Sequence, residues 1–270
     1  MKNYSQNSQI KKQPSETDKM DNEPVAYEQK DNFLGANLRG KVAIITGGDS
    51  GIGQSVAFLY AQHGINSVIV YYDEDKDAQD TVTHIKTLGV EAEALKGDIR
   101  DKSFCKAIVE YTMNRFGRID ILINNASVQY PQEDIQDISE DQLLQTFSVN
   151  VFGMFFLTQI ALKYMKKDSC IINTASVVAF RGSEHLVDYA ATKAAIIGFT
   201  RSLALQLSKK EIRVNAVAPG PIWTPLIPAS FDDDKVEKFG ESCKSEGLAE
   251  DDLKRGLEIG LQRMFNANRD

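Results

Sequence analysis

A chain of 270 residues holds one large domain or two small ones, and 42% hydrophobic with 26% charged residues is the composition of an ordinary globular protein with a full core. The 38 acidic against 31 basic side chains leave a net charge of −7, and no run of basic residues is interleaved with aromatics, which excludes a nucleic-acid partner. Cys105, Cys170 and Cys243 are too few and too far apart for a disulfide framework or zinc site; with no apolar run near the roughly 18 residues that span a bilayer and no leader-like N-terminus, a cytoplasmic protein without a membrane partner is expected.

Residues 1–37 are rich in Lys, Gln, Asn, Ser, Asp and Glu and read as a flexible polar arm, because they bury too little to offset ordering entropy. At Lys41 the character changes. Val42 to Thr46 is a short apolar run, followed by glycines and then by Ile52, Val56, Leu59 and Tyr60 at helical spacing, the pattern of strand, tight turn and helix. Strand-like runs recur at Ser67 to Tyr72, Glu91 to Leu95, Asp120 to Asn124, Cys170 to Thr174 and Arg213 to Val217, each followed by a helix-length segment. Such alternation predicts an α/β fold, a single doubly wound parallel sheet of the Rossmann type with helices on both faces, over residues 38–239. Ligands of such sheets bind beyond the carboxyl ends of the strands.

The first strand is followed by Thr46-Gly47-Gly48-Asp49-Ser50-Gly51-Ile52-Gly53. Glycines there let the backbone turn tightly and approach a pyrophosphate at a helix N-terminus. The second strand runs into Tyr71-Tyr72-Asp73-Glu74-Asp75. Asp73 at this edge suits the adenosine ribose hydroxyls and repels a 2′-phosphate, which favours NAD; alternatively the acids only cap the next helix, and Lys76 could still serve NADP. Gly97-Asp98-Ile99 and Asn124-Asn125-Ala126 put further polar groups at successive strand ends, where adenine and ribose would lie.

Tyr189 and Lys193, spaced i, i+4 on a helical segment, share one face. That spacing alone says little, since Tyr72 and Lys76 repeat it. Context separates them: Ser176 lies thirteen residues before Tyr189, just beyond the apolar run Ile171 to Thr174.

The glycine turn, Asn-Asn-Ala, Asn150 in Ser-Val-Asn-Val-Phe-Gly, Ser176, Tyr189-x-x-x-Lys193 and Pro219-Gly220-Pro-Ile222-Trp-Thr224 together resemble a short-chain dehydrogenase/reductase. Further wording resembles its glucose/ribitol dehydrogenase-like branch, which includes bacterial general stress proteins. The resemblance implies an oxidoreductase that uses NAD or NADP on a small molecule such as a sugar, polyol or aldehyde. It implies Tyr189 as acid or base, Lys193 lowering the phenol pKa, Ser176 holding the substrate oxygen, Asn150 completing a water relay, and Pro219, Gly220, Ile222 and Thr224 against the nicotinamide. Lowering a phenol from about 10 by about 3 units takes about 4 kcal/mol. Gln129, Tyr130, His185, Trp223 and Phe231 are candidates for the substrate pocket.

Two departures from the family pattern stand out. Ser127 replaces the glycine usual after Asn124-Asn125-Ala126, keeping a small residue. After Phe239 no buried strand is legible; Leu253, Leu257, Leu261, Met264 and Phe265 instead form a helical stripe, so 240–270 read as an atypical helical tail. The family implies a homo-oligomer, through contacts that this tail does not reproduce. The altered tail also sustains a second reading, a dinucleotide-binding module with little or no turnover.

Overall fold

The computed structural model describes residues 38–231 and Val236. The expected polar arm, the expected helical tail with Cys243, and nearly all of residues 232–239 lie outside the described residues. The first strand, β1 (Val42–Thr46), leads into helix α1 (Gly51–Gln62), followed by β2 (Asn66–Tyr71), α2 (Asp75–Thr87), β3 (Ala92–Lys96), α3 (Lys102–Phe116) and β4 (Ile121–Asn124). Then come α4 (Glu140–Phe147), a wider π turn at Ser148–Gly153, α5 (Met154–Ala161), β5 (Cys170–Thr174), the short α6 (Val178–Arg181), the long α7 (Val187–Leu207), β6 (Arg213–Val217) and α8 (Leu226–Ser230).

All five strand pairings are parallel, in the order β3-β2-β1-β4-β5-β6. This is the doubly wound order expected from the alternating pattern. Because successive strand residues point to opposite faces, a strand covered on both sides must be apolar throughout. Along β1, Ala43 and Ile45 pack with Val56 and Tyr60 of α1 and Val82 and Ile85 of α2. Ile44 points the other way, joining Ile108 of α3, Leu157 of α5 and Leu203 of α7. Each fully buried isoleucine contributes roughly 1.5–3 kcal/mol. Cys105 and Cys170 are free thiols in the clusters on opposite faces, a placement that keeps them from pairing.

The continuous helical run Glu140–Ala161 spans 22 residues and contains an 18-residue window with mean hydropathy 1.4, long and apolar enough to cross a bilayer by length and composition, although no uninterrupted apolar run reaches that length. It packs one face into the fold: 44% of that window is buried, and Gln142, Thr146 and Asn150 make buried hydrogen bonds to the loop after β4 and to α7. The strand order reverses beside β1, where β2 lies on one side and β4 on the other, so the loops after β1 and β4 part above the sheet. This opens a crevice at the carboxyl edge.

Candidate active site

A cleft of about 400 Å³ runs along that edge, within the range of small-molecule and cofactor sites. Its floor begins at the glycine turn. Gly47 has φ +60°, and a Cβ on Gly53 would come within 1.9 Å of the Gly47 carbonyl oxygen, so the first turn of α1 can seat on the loop only if position 53 is glycine. Gly53 thus supports the turn from beneath, while Gly47, Asp49, Ser50, Gly51 and Ile52 face the cleft. No acid occupies the first turn of α1 and the Ser50 side chain makes no capping bond, which leaves helix N–H groups for an anion. Burial pushes the Asp49 carboxyl up to about 6.

The turn is tied across the crevice by side chains. Thr46 Oγ1 accepts from the backbone N–H groups of Asn125 (2.9 Å) and Ala126 (3.1 Å), and Asn125 Nδ2 donates to the carbonyls of Thr46 (3.2 Å) and Gly47 (3.0 Å). Thr174, at the end of β5, donates to Asn125 Oδ1 at 3.2 Å. Three strand ends are thereby held at fixed separation. The β6 loop closes the same end: Pro219, Gly220, Ile222 and Thr224 line the cleft, with Thr224 packed on Gly51.

Further along, Tyr72, Asp98 and Ile99 line the wall. Asp98 accepts from Arg100 Nε at 2.8 Å, and Arg100, also on the wall, bonds Gln145. Asp73 does not reach the wall. Its carboxylate lies 3.3 Å from Lys96 Nζ, which also binds Asp75 at 2.8 Å. The Lys96 charge opposite Asp73 comes from β3 and could not be read from the local motif.

At the other end, Ser176, Tyr189 and Lys193 share the wall. Tyr189 is 8% exposed and Lys193 2%, both on the inward face of α7. Lys193 Nζ donates to the Thr174 carbonyl at 2.8 Å and lies 5.2 Å from the Tyr189 ring centroid. Burial pushes the phenol up to about 12, partly offset by the hydroxyls of Ser176 and Ser127, and brings the Lys193 amine down to about 7. The sequence led one to expect a phenol lowered by its lysine. Desolvation, which no motif encodes, acts in the opposite direction.

Asn150 sits on the π turn and lies off the main cleft. Its Oδ1 accepts from Val128 N–H (2.8 Å), while Nδ2 donates to Val128 O (2.9 Å) and Thr192 Oγ1 (3.1 Å). The side chain fastens the loop after β4 to α7 with both of its N–H groups, and its Oδ1 accepts one bond of the two it can take. A separate cavity of about 10 Å³, room for about one water, borders Asn124, Asn150 and Thr174. Asp188, missed in the sequence, is buried beside Tyr189 and accepts from Gln142 (3.1 Å) and Thr146 (2.8 Å) on α4, which fixes the start of α7. Its position next to Tyr189 was the only signal. Of the residues suggested for the substrate pocket, Gln129 and Phe231 line the cleft; Tyr130, His185 and Trp223 do not.

The short chain dehydrogenase family model matches residues 41–235. The chain belongs to the short-chain dehydrogenase family. This short-chain dehydrogenase is 49% identical over 234 residues to NADPH-dependent aldehyde reductase 1, chloroplastic, of Arabidopsis thaliana, covering 84% of this chain and 81% of the relative. It is 45% identical over 235 residues to the glucose and ribitol dehydrogenase of Daucus carota, covering 84% and 80%. Among solved structures it resembles 3-ketoacyl-(acyl-carrier-protein) reductase from Brucella melitensis complexed with NADH, with TM-score 0.67, 31% identity, and 73% and 82% coverage. The family is one of NAD(P)-dependent oxidoreductases.

Proposed function

We propose that this short-chain dehydrogenase transfers a hydride between NAD or NADP and the carbonyl or alcohol carbon of a small polar substrate, a sugar, polyol or aldehyde, with Tyr189 as acid and base. The observation that carries the reading is the meeting of a buried phenol, the Ser176 hydroxyl and a buried lysine on one wall of a cleft that starts at a glycine turn. The residues present fit a dinucleotide: the open N-terminus of α1 suits a pyrophosphate, and the β6 loop and Lys193 suit the nicotinamide ribose end. When bound, the nicotinamide supplies or accepts the hydride. The names of the two relatives support a polar carbonyl or polyol as substrate.

A phenol held up at about 12 is protonated at neutral pH, ready to donate to a carbonyl oxygen that Ser176 holds in place. Alcohol oxidation is more demanding. Bringing the phenol from about 12 to neutrality takes roughly 7 kcal/mol of differential interaction, against the roughly 4 needed from a free phenol. A protonated Lys193 one helical turn away would supply part of it, beyond the lowering that the Ser176 and Ser127 hydroxyls already give. With Asp73 paired to Lys96, repulsion of a 2′-phosphate is weaker than the motif suggests, and the chain takes both NAD and NADP.

The test follows absorbance at 340 nm with either cofactor over a panel of aldehydes, sugars and polyols, beside Tyr189→Phe. Turnover that Tyr189→Phe abolishes is expected. Cofactor binding without turnover on the whole panel would favour a binding module, and undiminished turnover in Tyr189→Phe would overturn the mechanism.

A further inference from the structure

Four buried side-chain oxygens or nitrogens among the described residues have no hydrogen-bond partner: those of Ser67, Asn124, Ser127 and His185. Only Ser127 lies on the wall of the main cleft. A buried hydroxyl without a partner costs about 1–3 kcal/mol. It calls for a function in which the missing bond is made.

The frame around Ser127 is rigid. The next residue, Val128, is held through both its N–H and its carbonyl by the Asn150 side chain, which also donates to Thr192. Thr192 in turn donates to the Tyr189 carbonyl at 2.7 Å. The loop carrying Ser127 and the helix carrying Tyr189 are thus pinned to each other through Asn150. A serine hydroxyl can rotate to donate to whichever acceptor gains charge.

We propose that Ser127 is a third hydroxyl of the acid–base site, donating a hydrogen bond to the Tyr189 oxygen beside Ser176 whenever that oxygen is ionised. The proposal rests on the reading of Tyr189 as the acid and base. In carbonyl reduction the Tyr189 O–H bond breaks and its proton joins the substrate oxygen, leaving a phenolate with three lone pairs. The neutral phenol has less to offer two donors. Both serines therefore bind the ionised form more strongly, a preference that lowers the phenol against its burial. Ser127 keeps its own proton throughout.

The charged groups near Tyr189 do not do this work in its place. Lys193, on the same helix, donates to the Thr174 carbonyl. The Asp188 carboxylate accepts from Gln142 and Thr146 of α4 at Oδ2 and from the Tyr189 backbone N–H at Oδ1, 2.8 Å. Arg181 of α6 is exposed on the cleft wall, and His185, in the loop before α7, faces Glu133 and Glu184 at 3.4 Å. The loop after β4 and the end of β5 bring hydroxyls and amides to the cleft: Ser127, Gln129 and Ser176.

The experiment is the pH profile of alcohol oxidation in Ser127→Ala, Ser127→Gly and Ser127→Thr, with Tyr189→Phe as control. Ser127→Ala and Ser127→Gly are expected to raise the pH of half-maximal rate by about one unit and to lower the neutral-pH rate about tenfold, with KM for the cofactor unchanged and, in Ser127→Ala, a Tm no lower than wild type. Ser127→Thr restores the profile. An unmoved midpoint in both Ser127→Ala and Ser127→Gly, with Tyr189→Phe inactive, would overturn the role of Ser127 alone. Full turnover in Tyr189→Phe would overturn the reading of Tyr189 and this proposal with it. A substrate-independent check is the ultraviolet titration of the Tyr189 phenol with saturating NAD, taken as wild type minus Tyr189→Phe. The same difference in the Ser127→Ala background must move upward.

Discussion

The two ends of the cleft handle charge in opposite ways. At and beside the end proposed for the dinucleotide, ionised side chains are at least partly in water and answer one another: Lys96 with Asp73 and Asp75, Arg100 with Asp98. Such pairs are individually weak and screened by salt. At the Tyr189 end, Tyr189, Lys193 and Asp188 are sunk in the protein, and the partners of Lys193 and Asp188 are neutral hydroxyls, amides and carbonyls. The difference suits the two tasks of the proposed function: binding a large charged cofactor tolerates solvent, whereas proton transfer at Tyr189 would draw on pKa shifts that only a low-dielectric site produces.

The largest effect that would sharpen this contrast is at the buried end. Tyr189→Phe should cost about 10²- to 10⁴-fold in turnover, as expected for loss of a general acid or base, while leaving cofactor affinity and Tm close to wild type. A comparable loss of cofactor affinity, read by fluorescence titration, would break the division between the two ends.

Next is Asn150→Ala, which strands the Val128 N–H and carbonyl and leaves Thr192 with only its bond to the Tyr189 carbonyl. We expect a loss of about 3 kcal/mol in a urea unfolding curve, with turnover falling as the loop after β4 loosens from α7. A variant as stable as wild type would show that the clamp is dispensable.

Asp49 is the exception at the dinucleotide end, a buried acid in the turn. Its folded pKa of about 6 lies above the unfolded 3.8, so the folded state holds the proton more tightly. Stability is therefore lost as pH rises from about 4 to about 6 and stays lower above that window. Asp49→Asn should remove this loss, raising stability at pH 7 by up to about 3 kcal/mol and flattening the profile between pH 4 and 6. A profile still falling across that window would mean that another group carries it.

The smallest effect belongs to the exposed pairs. Lys96→Ala should leave Tm within error, yet free Asp73 to repel a 2′-phosphate and shift the ratio of NADP to NAD affinity towards NAD. An unchanged ratio would place cofactor choice elsewhere on the wall.

Much of this molecule was legible in the sequence. The runs at β1, β5 and β6 coincide with the strands residue for residue, and the others are displaced by a residue or so, because strands covered on both faces must be uniformly apolar. The cluster of Ser176, Tyr189 and Lys193 was legible because strand-end position and helical spacing together bring them to one edge. Asp188 carried no comparable signal, and Ser127 showed only as a departure from the glycine usual in the family. Each is polar and unremarkable in composition, and each matters through what packing sets beside it.

What the sequence determined by itself was therefore the order of strands and helices, the glycine turn that only glycine at position 53 permits, and which residues end up near the carboxyl edge. These follow from local sterics and hydrophobic periodicity, which are written in consecutive residues. Tertiary structure decided the rest: that Asp73 turns to Lys96, that the Asn150 amide clamps the loop after β4 to α7, that the Ser127 hydroxyl is buried on the cleft wall, and that the Tyr189 phenol rises while the Lys193 amine falls. Burial and pairing across β4, the π turn and α7 set those properties, and neither exists until the elements have packed.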